Sequence, residues 1–123
     1  MPKVIHFEIP TSDLNKAADF YSKTFSWDIQ SWGNENYLLA TTGDKSEPGI
    51  NGAIYLKDWM TEVVNTINVP DLEEAIGKIK ANGGEVVRDI MEIPNIGRNA
   101  YFKDPDGNLI GVMQSFPDSI MPK

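Results

Sequence analysis

From Val4 to Ile9 the chain alternates. Ile5, Phe7 and Ile9 fall on one side of an extended segment, and Val4, His6 and Glu8 fall on the other. That period of two predicts a β-strand whose apolar side takes a helix. The period then lengthens. Leu14, Ala17, Ala18, Tyr21 and Phe25 recur at helical spacing, predicting a helix over 14–25 with Ser12 or Asp13 as N-cap and with Asn15, Lys16, Asp19 and Lys23 turned to solvent. Two strands over 27–32 and 36–41 turn through Gly33-Asn34-Glu35, and a third over 51–56 follows the loop 43–49. The first half of the chain therefore reads βαβββ.

The second half repeats it. The segment Ile5-His6-Phe7-Glu8-Ile9-Pro10-Thr11-Ser12-Asp13-Leu14 is echoed by Val63-Val64-Asn65-Thr66-Ile67-Asn68-Val69-Pro70-Asp71-Leu72, with Asp13 and Asp71 standing 58 residues apart. Val63 to Val69 predicts a strand, and Asp71 caps a helix carrying Leu72, Ala75, Ile76 and Ile79. Glu74 sits at the capping-box position, and Asn82-Gly83-Gly84 supplies a left-handed stop. Strands over 85–93, 98–103 and 109–114 complete a second βαβββ, with Asp104-Pro105-Asp106-Gly107-Asn108 read as a hairpin built on a primed Asp-Gly turn. Residues 57–62 form the linker, and 116–123 an irregular tail. The reading is one domain over 1–123, with a first module of about 1–57 and a second of about 63–116. A duplicated pair of this kind closes a cleft between its halves.

Composition narrows the partners. At 123 residues the chain is long enough for a core without staples. Cysteine is absent, which removes disulfides, thiolate ligands and thiol nucleophiles. Eighteen acidic against eleven basic residues give a net charge of −7, which repels phosphate backbones and anionic lipid surfaces, so neither nucleic acid nor membrane is an expected partner. With no signal-like leader and no run of about 18 apolar residues, a cytoplasmic location is expected.

Two tandem βαβββ modules, the pattern His-x-x-Ile-x-x-x-Asp-Leu leading to Phe20-Tyr21 and Phe25-Ser26-Trp27, and the closing Phe102-Lys103-Asp104-Pro105-Asp106-Gly107-Asn108 resemble the vicinal oxygen chelate superfamily. That group includes glyoxalase I, bleomycin-resistance proteins and extradiol dioxygenases. The resemblance implies an α+β fold in which the two modules form a cupped, half-barrel mixed sheet with helices outside. It also implies a homodimer, since relatives cover an open sheet edge with a second copy. Metal-using members place ligands on equivalent strands. The first position falls on His6, seven residues before Asp13, and its counterpart seven before Asp71 is Val64. The ligand three residues after the Asn of the closing turn falls on Gly111, and the remaining one falls in 51–55, where Asn51 and Tyr55 are the polar choices. Valine and glycine offer no donor, and catalytic divalent ions draw mainly on His and carboxylate. No metal and no cofactor are therefore expected.

Among candidate site residues, His6 shares a strand face with Glu8 and is the one candidate acid–base group. Polar filling of the cleft, or a vestigial ligand position, is the plainer reading of it. Trp32, Tyr37, Tyr55, Trp59, Tyr101 and Phe102 lie on predicted strands or in the linker. Part of this set, with Met113 on the last strand, is expected to line the cleft and hold a flat or apolar ligand, the rest being core. Arg98 is placed either to meet an anionic group on that ligand or to form a surface ion pair. Asp104, Asp106 and Asn108 fail the calcium-loop spacing and read as a turn. No phosphate-loop, dinucleotide or nucleophile-elbow signature occurs. The leading expectation is a metal-independent small-molecule-binding protein with ligand contacts at His6, Glu8, Trp32, Tyr37, Tyr55, Arg98, Phe102 and Met113. The alternatives are a glyoxalase-like lyase or isomerase using a divalent metal, and a dimeric scaffold without a ligand.

Overall fold

The computed structural model describes residues 1–31 and 36–118. The chain divides into two compact units, one spanning His6–Val63, the other Val64–Lys123 together with Met1–Ile5. The first module contains β1 (Lys3–Thr11), α1 (Leu14–Phe25), β2 (Asp28–Ser31), β3 (Tyr37–Thr41) and β4 (Gly52–Leu56). Its strands lie in the order β2-β3-β4-β1, antiparallel except for the parallel β1–β4 pair. The second contains β5 (Val64–Asn68), α2 (Leu72–Ala81), β6 (Glu85–Ile93), β7 (Gly97–Lys103) and β8 (Leu109–Ser115). Its order β6-β7-β8-β5, with β5 and β8 parallel, repeats the plan of the first. The fold is thus α+β, built of two βαβββ modules, as the periodicities predict. The turn expected at Gly33-Asn34-Glu35 lies outside the described residues.

The repeated helix starts have one cause. Asp13 Oδ1 accepts the Lys16 backbone N–H at 3.1 Å, and Asp71 Oδ1 accepts that of Glu74 at 3.0 Å, each satisfying a donor that the first helical turn leaves open. Asp13, not Ser12, is the cap of α1. At α2 the carboxylate of Glu74 meets Lys78 Nζ at 3.2 Å, one turn along.

The helices cover their strands with different chemistry. In the first module Tyr21 stacks on Trp27 at 4.9 Å between centroids, and Phe7 and Phe25 tilt against the same indole. Phe7 thereby confirms that the Ile5, Phe7, Ile9 side of β1 faces α1. No residue of α1 is fully buried, and Phe20 and Phe25 remain exposed. In the second module Val69, Leu72, Ala100 and Val112 form a closed aliphatic core, extended by Ile67, Ala75, Ile76, Ile79, Ile90 and Phe102.

The closing turn differs from the two-residue primed hairpin expected of Asp106-Gly107. Gly107 donates its N–H to the Asp104 carbonyl at 2.9 Å and takes φ +85°, while the Asp104 N–H reaches the Asn108 carbonyl at 3.0 Å. The Asp104 carboxylate accepts the backbone N–H groups of Asp106 and Asn108 and the Asn108 amide. Those bonds hold its pKa below the ordinary carboxylate range, the Asn108 side chain contributing most. A five-residue loop organised by one carboxylate replaces the tight turn because Asp104 captures the donors that a two-residue turn would leave to the strands.

Candidate functional site

The face of the first module opposite α1 carries a polar cluster. Register places Glu8 beside Ala53 and Leu39, and Pro10 beside Tyr55 and Tyr37, all on the side away from Phe7 and Ile54. His6 and Glu8 are both buried, and Ala53 beside Glu8 is fully enclosed. His6 Nε2 and the Tyr37 hydroxyl are 2.9 Å apart. Burial pushes the His6 imidazole down to about 4, so at neutral pH it is uncharged and exchanges one hydrogen bond with the phenol. Tyr55 donates its hydroxyl to the Glu62 carbonyl at 2.7 Å. Burial, and secondarily the charge of Glu8, push that phenol up to about 12. The arrangement supplies a neutral imidazole, a carboxylate and two phenols on one sheet face. Such a set can orient a ligand by hydrogen bonds and aromatic contact, and it keeps His6 from acting as a cationic acid at neutral pH.

The second module answers each of these positions differently. Val64, the counterpart of His6, is fully buried, and Thr66 stands where the first module has Glu8. Thr66 is in register with Gly111, and Gly111 with Tyr101. A Cβ placed on Gly111 would lie 2.6 Å from Thr66 Oγ1 and 3.4 Å from the Tyr101 ring. The position where metal-using relatives present a ligand is therefore filled by its neighbour. Asn51 is occupied as well, its Oδ1 accepting the Thr42 N–H at 3.0 Å. Among the described residues no three His, Cys, Asp or Glu side chains come close enough to share an ion. His6 and Glu8 alone do not make the donor set of a catalytic divalent site.

The remaining expected contacts separate. Met113, buried on β8, lies on the same side of its sheet as Thr66 and Gly111. Phe102 does not: alternation along β7 turns it away from Tyr101 and into the core under α2, so it is a packing residue and no cleft contact. Arg98 also lies on the helix side. Its guanidinium grips Glu73 of α2 through Nη1–Oε2 at 2.6 Å and Nη2–Oε1 at 2.8 Å, and reaches Gln114 Oε1 at 3.1 Å. Gln114 Oε1 in turn accepts the Leu72 N–H, so the pair fastens the start of α2 to β7 and β8. Of the two placements expected of Arg98, the ion pair is the one formed. Trp32 lies outside the described residues. Missed by the sequence reading are Asn68 and Asn99, which flank Met113 in register. Their signal was available only through the repeat, because Asn99 is the counterpart of Tyr37.

No helix among the described residues is long and apolar enough to cross a membrane. A glyoxylase-like domain-containing protein of Didymella fabae is 30% identical over 111 residues, covering 82% of this chain and 84% of that protein. The glyoxylase-type protein CFP32 of Mycobacterium bovis is 27% identical over 117 residues, and the chain spans 44% of its length. Among solved structures, a methylmalonyl-CoA epimerase in complex with methylmalonyl-CoA and NH4+ superposes with a TM-score of 0.74 at 16% identity, covering 97% of this chain and 98% of that one. Residues 3–112 match the glyoxalase/bleomycin resistance protein/dioxygenase superfamily, and the chain belongs to that family.

Proposed function

We propose that the protein binds a small molecule without a metal, holding it against the His6, Glu8, Tyr37 and Tyr55 face. One observation carries the reading. Where the family's metal chemistry needs donors, this chain has Val64, and Gly111 with Thr66 Oγ1 occupying the space that a side chain would need. A polar face of buried and half-buried hydrogen-bonding groups with a single carboxylate suits recognition better than Lewis-acid chemistry. The competing reading is a lyase or isomerase that uses a divalent ion, and it requires donors beyond His6 and Glu8. A thermal-shift screen of metabolites, run with and without EDTA, separates the two. A ligand at one hundred times its Kd adds about 2.7 kcal/mol of stability whether or not EDTA is present. Hits that disappear with EDTA contradict the proposal.

We further infer a cytoplasmic homodimer. Leu56, Trp59 and Val63, on and beside the linker, are exposed large apolar side chains of the kind a second copy would cover. Light scattering at micromolar concentration tests this, and a monomer contradicts it.

A further inference from the structure

The chain contains two Asn-Gly pairs, Asn51-Gly52 and Asn82-Gly83, and the structure holds them in opposite ways. An asparagine before a glycine is chemically labile, because the next backbone nitrogen can turn onto the side-chain amide carbon and glycine has no Cβ to shield it. Asn51-Gly52 is protected from this. Gly52 is buried on β4, paired with Phe7 of β1 on one side and Ala40 of β3 on the other. A Cβ on Gly52 would lie 2.5 Å from the Phe7 ring, so its backbone has no room to turn inside the sheet. The Asn51 side chain is tied as well, its Oδ1 accepting the Thr42 N–H at 3.0 Å.

Asn82-Gly83 stands where α2 ends, and both residues are exposed. Asn82 caps the helix with φ −106° and ψ 19°, and its Nδ2 donates to the Lys78 carbonyl at 2.8 Å beside its own backbone N–H at 3.1 Å. The Gly83 N–H reaches the Lys80 carbonyl at 3.4 Å, a long bond next to the 2.8 Å from the Gly84 N–H to the Ile79 carbonyl. Of the nitrogens in this stop, the one that would attack Asn82 is thus the most weakly engaged. Helix ends open locally at little free-energy cost. The Asp-Gly pair of the closing turn is better restrained, since the Gly107 N–H donates to the Asp104 carbonyl at 2.9 Å.

We propose that Asn82 is a site of spontaneous deamidation, and that its conversion loosens the end of α2 as the protein ages. Opening of the last turn and rotation about the Asn82 ψ bring the Gly83 nitrogen onto Asn82 Cγ. The N–Cγ bond forms as that nitrogen gives up its proton, the Cγ–Nδ2 bond breaks, and ammonia leaves with the proton, closing a succinimide ring. Water then adds to one of the two ring carbonyls and opens its C–N bond, giving aspartate or isoaspartate. Water enters and ammonia leaves, so no oxidant or cofactor is needed. Either product removes the donor to the Lys78 carbonyl and sets a negative charge at the helix end that is already negative. Isoaspartate also lengthens the main chain just before Gly84. The packing there leaves no slack, because a Cβ on Gly84 would lie 2.6 Å from Ile79 Cγ2 and 3.3 Å from the Lys103 carbonyl oxygen. Ile79 itself packs on the core of the second module.

The test incubates the full chain in mildly alkaline buffer, with and without urea, and follows both asparagines by peptide mass spectrometry and the intact chain by isoelectric focusing. In the folded protein Asn82 should convert to aspartate and isoaspartate while Asn51 stays an amide, and the chain should become one charge more negative than −7. In urea the two should convert at similar rates, because the fold no longer distinguishes them. Asn82→Gln should not gain the acidic species. Asn82→Asp, which carries the product's charge on an ordinary backbone, should melt about 4 °C below the wild type, and the aged wild type should also melt below fresh protein. An Asn82 that stays intact in the folded chain while converting in urea, or equal conversion of Asn51 and Asn82 in the folded chain, would overturn the site. Aged protein that is converted at Asn82 and melts with fresh protein would overturn the loosening of α2.

Discussion

Where the first module carries His6, Glu8 and Tyr37 on the face away from its helix, the second carries Val64, Thr66 and Asn99 on strands of the same order and register. The helix sides differ too. Under α1 an aromatic stack of Phe7, Tyr21, Phe25 and Trp27 stays partly open to solvent, and under α2 Leu72 is sealed among Val69, Ala100 and Val112. The two modules share a backbone plan and differ in the polar groups it carries. The difference teaches which half anchors stability and which carries titratable chemistry.

The largest effect should come from the sealed core. Leu72→Ala is expected to cost about 2–5 kcal/mol in urea unfolding, because its neighbours are too tightly packed to collapse into the gap. Phe25→Ala, at a side chain 59% exposed, should cost about 1 kcal/mol. Comparable losses would erase the contrast between the two helix faces.

The next effect belongs to the first module alone. His6 is held near 4 when folded and titrates near 6.5 when unfolded, so the unfolded chain binds the extra proton between those values. Stability should be complete above about pH 6.5 and fall as pH drops toward 4, by about 3 kcal/mol. His6→Leu should flatten that window in denaturant titrations. An unchanged slope would show that the imidazole is not desolvated.

A smaller effect probes the position that replaces a ligand. Gly111→Ala should cost about 1–3 kcal/mol because its methyl meets Thr66 Oγ1, whereas the first-module counterpart Ala53 already carries a Cβ without conflict. Adding Thr66→Ala should restore most of the loss, so the two substitutions should be strongly non-additive in a double-mutant cycle. Additive losses would place the crowding elsewhere.

The smallest effect concerns the exposed clamp at α2. Hydrogen bonding from Arg98 holds Glu73 at about 2, so the stabilisation is complete above the ordinary carboxylate range and is lost progressively as pH falls from there through about 2. Arg98→Ala should return the Glu73 carboxyl to its ordinary value in an NMR titration with little change in stability. A Glu73 that stays near 2 would reassign the cause to the helix start.

Helices and their starts were legible because Asp13 and Asp71 each precede a helical period, and capping is a local event. The βαβββ succession of each module followed from the repeat, whereas which strands pair is shown only by the structure. Which face of β7 each aromatic takes was not legible, since alternation assigns Tyr101 and Phe102 to opposite sides without saying which side the helix covers. Register shifts along β6 around Arg88 further break the period there. Arg98 illustrates the other limit: its partner Glu73 is 25 residues away, brought close only by the packing of α2 on β7.

The proposal most open to direct test is that this member of the superfamily binds its ligand without a metal. Titrating the EDTA-treated protein with Ni2+, Zn2+, Mn2+ and Fe2+ by calorimetry tests it most directly. The account predicts no saturable heat at one ion per chain and the same trace for wild type and His6→Ala. Stoichiometric binding that disappears in His6→Ala would contradict it.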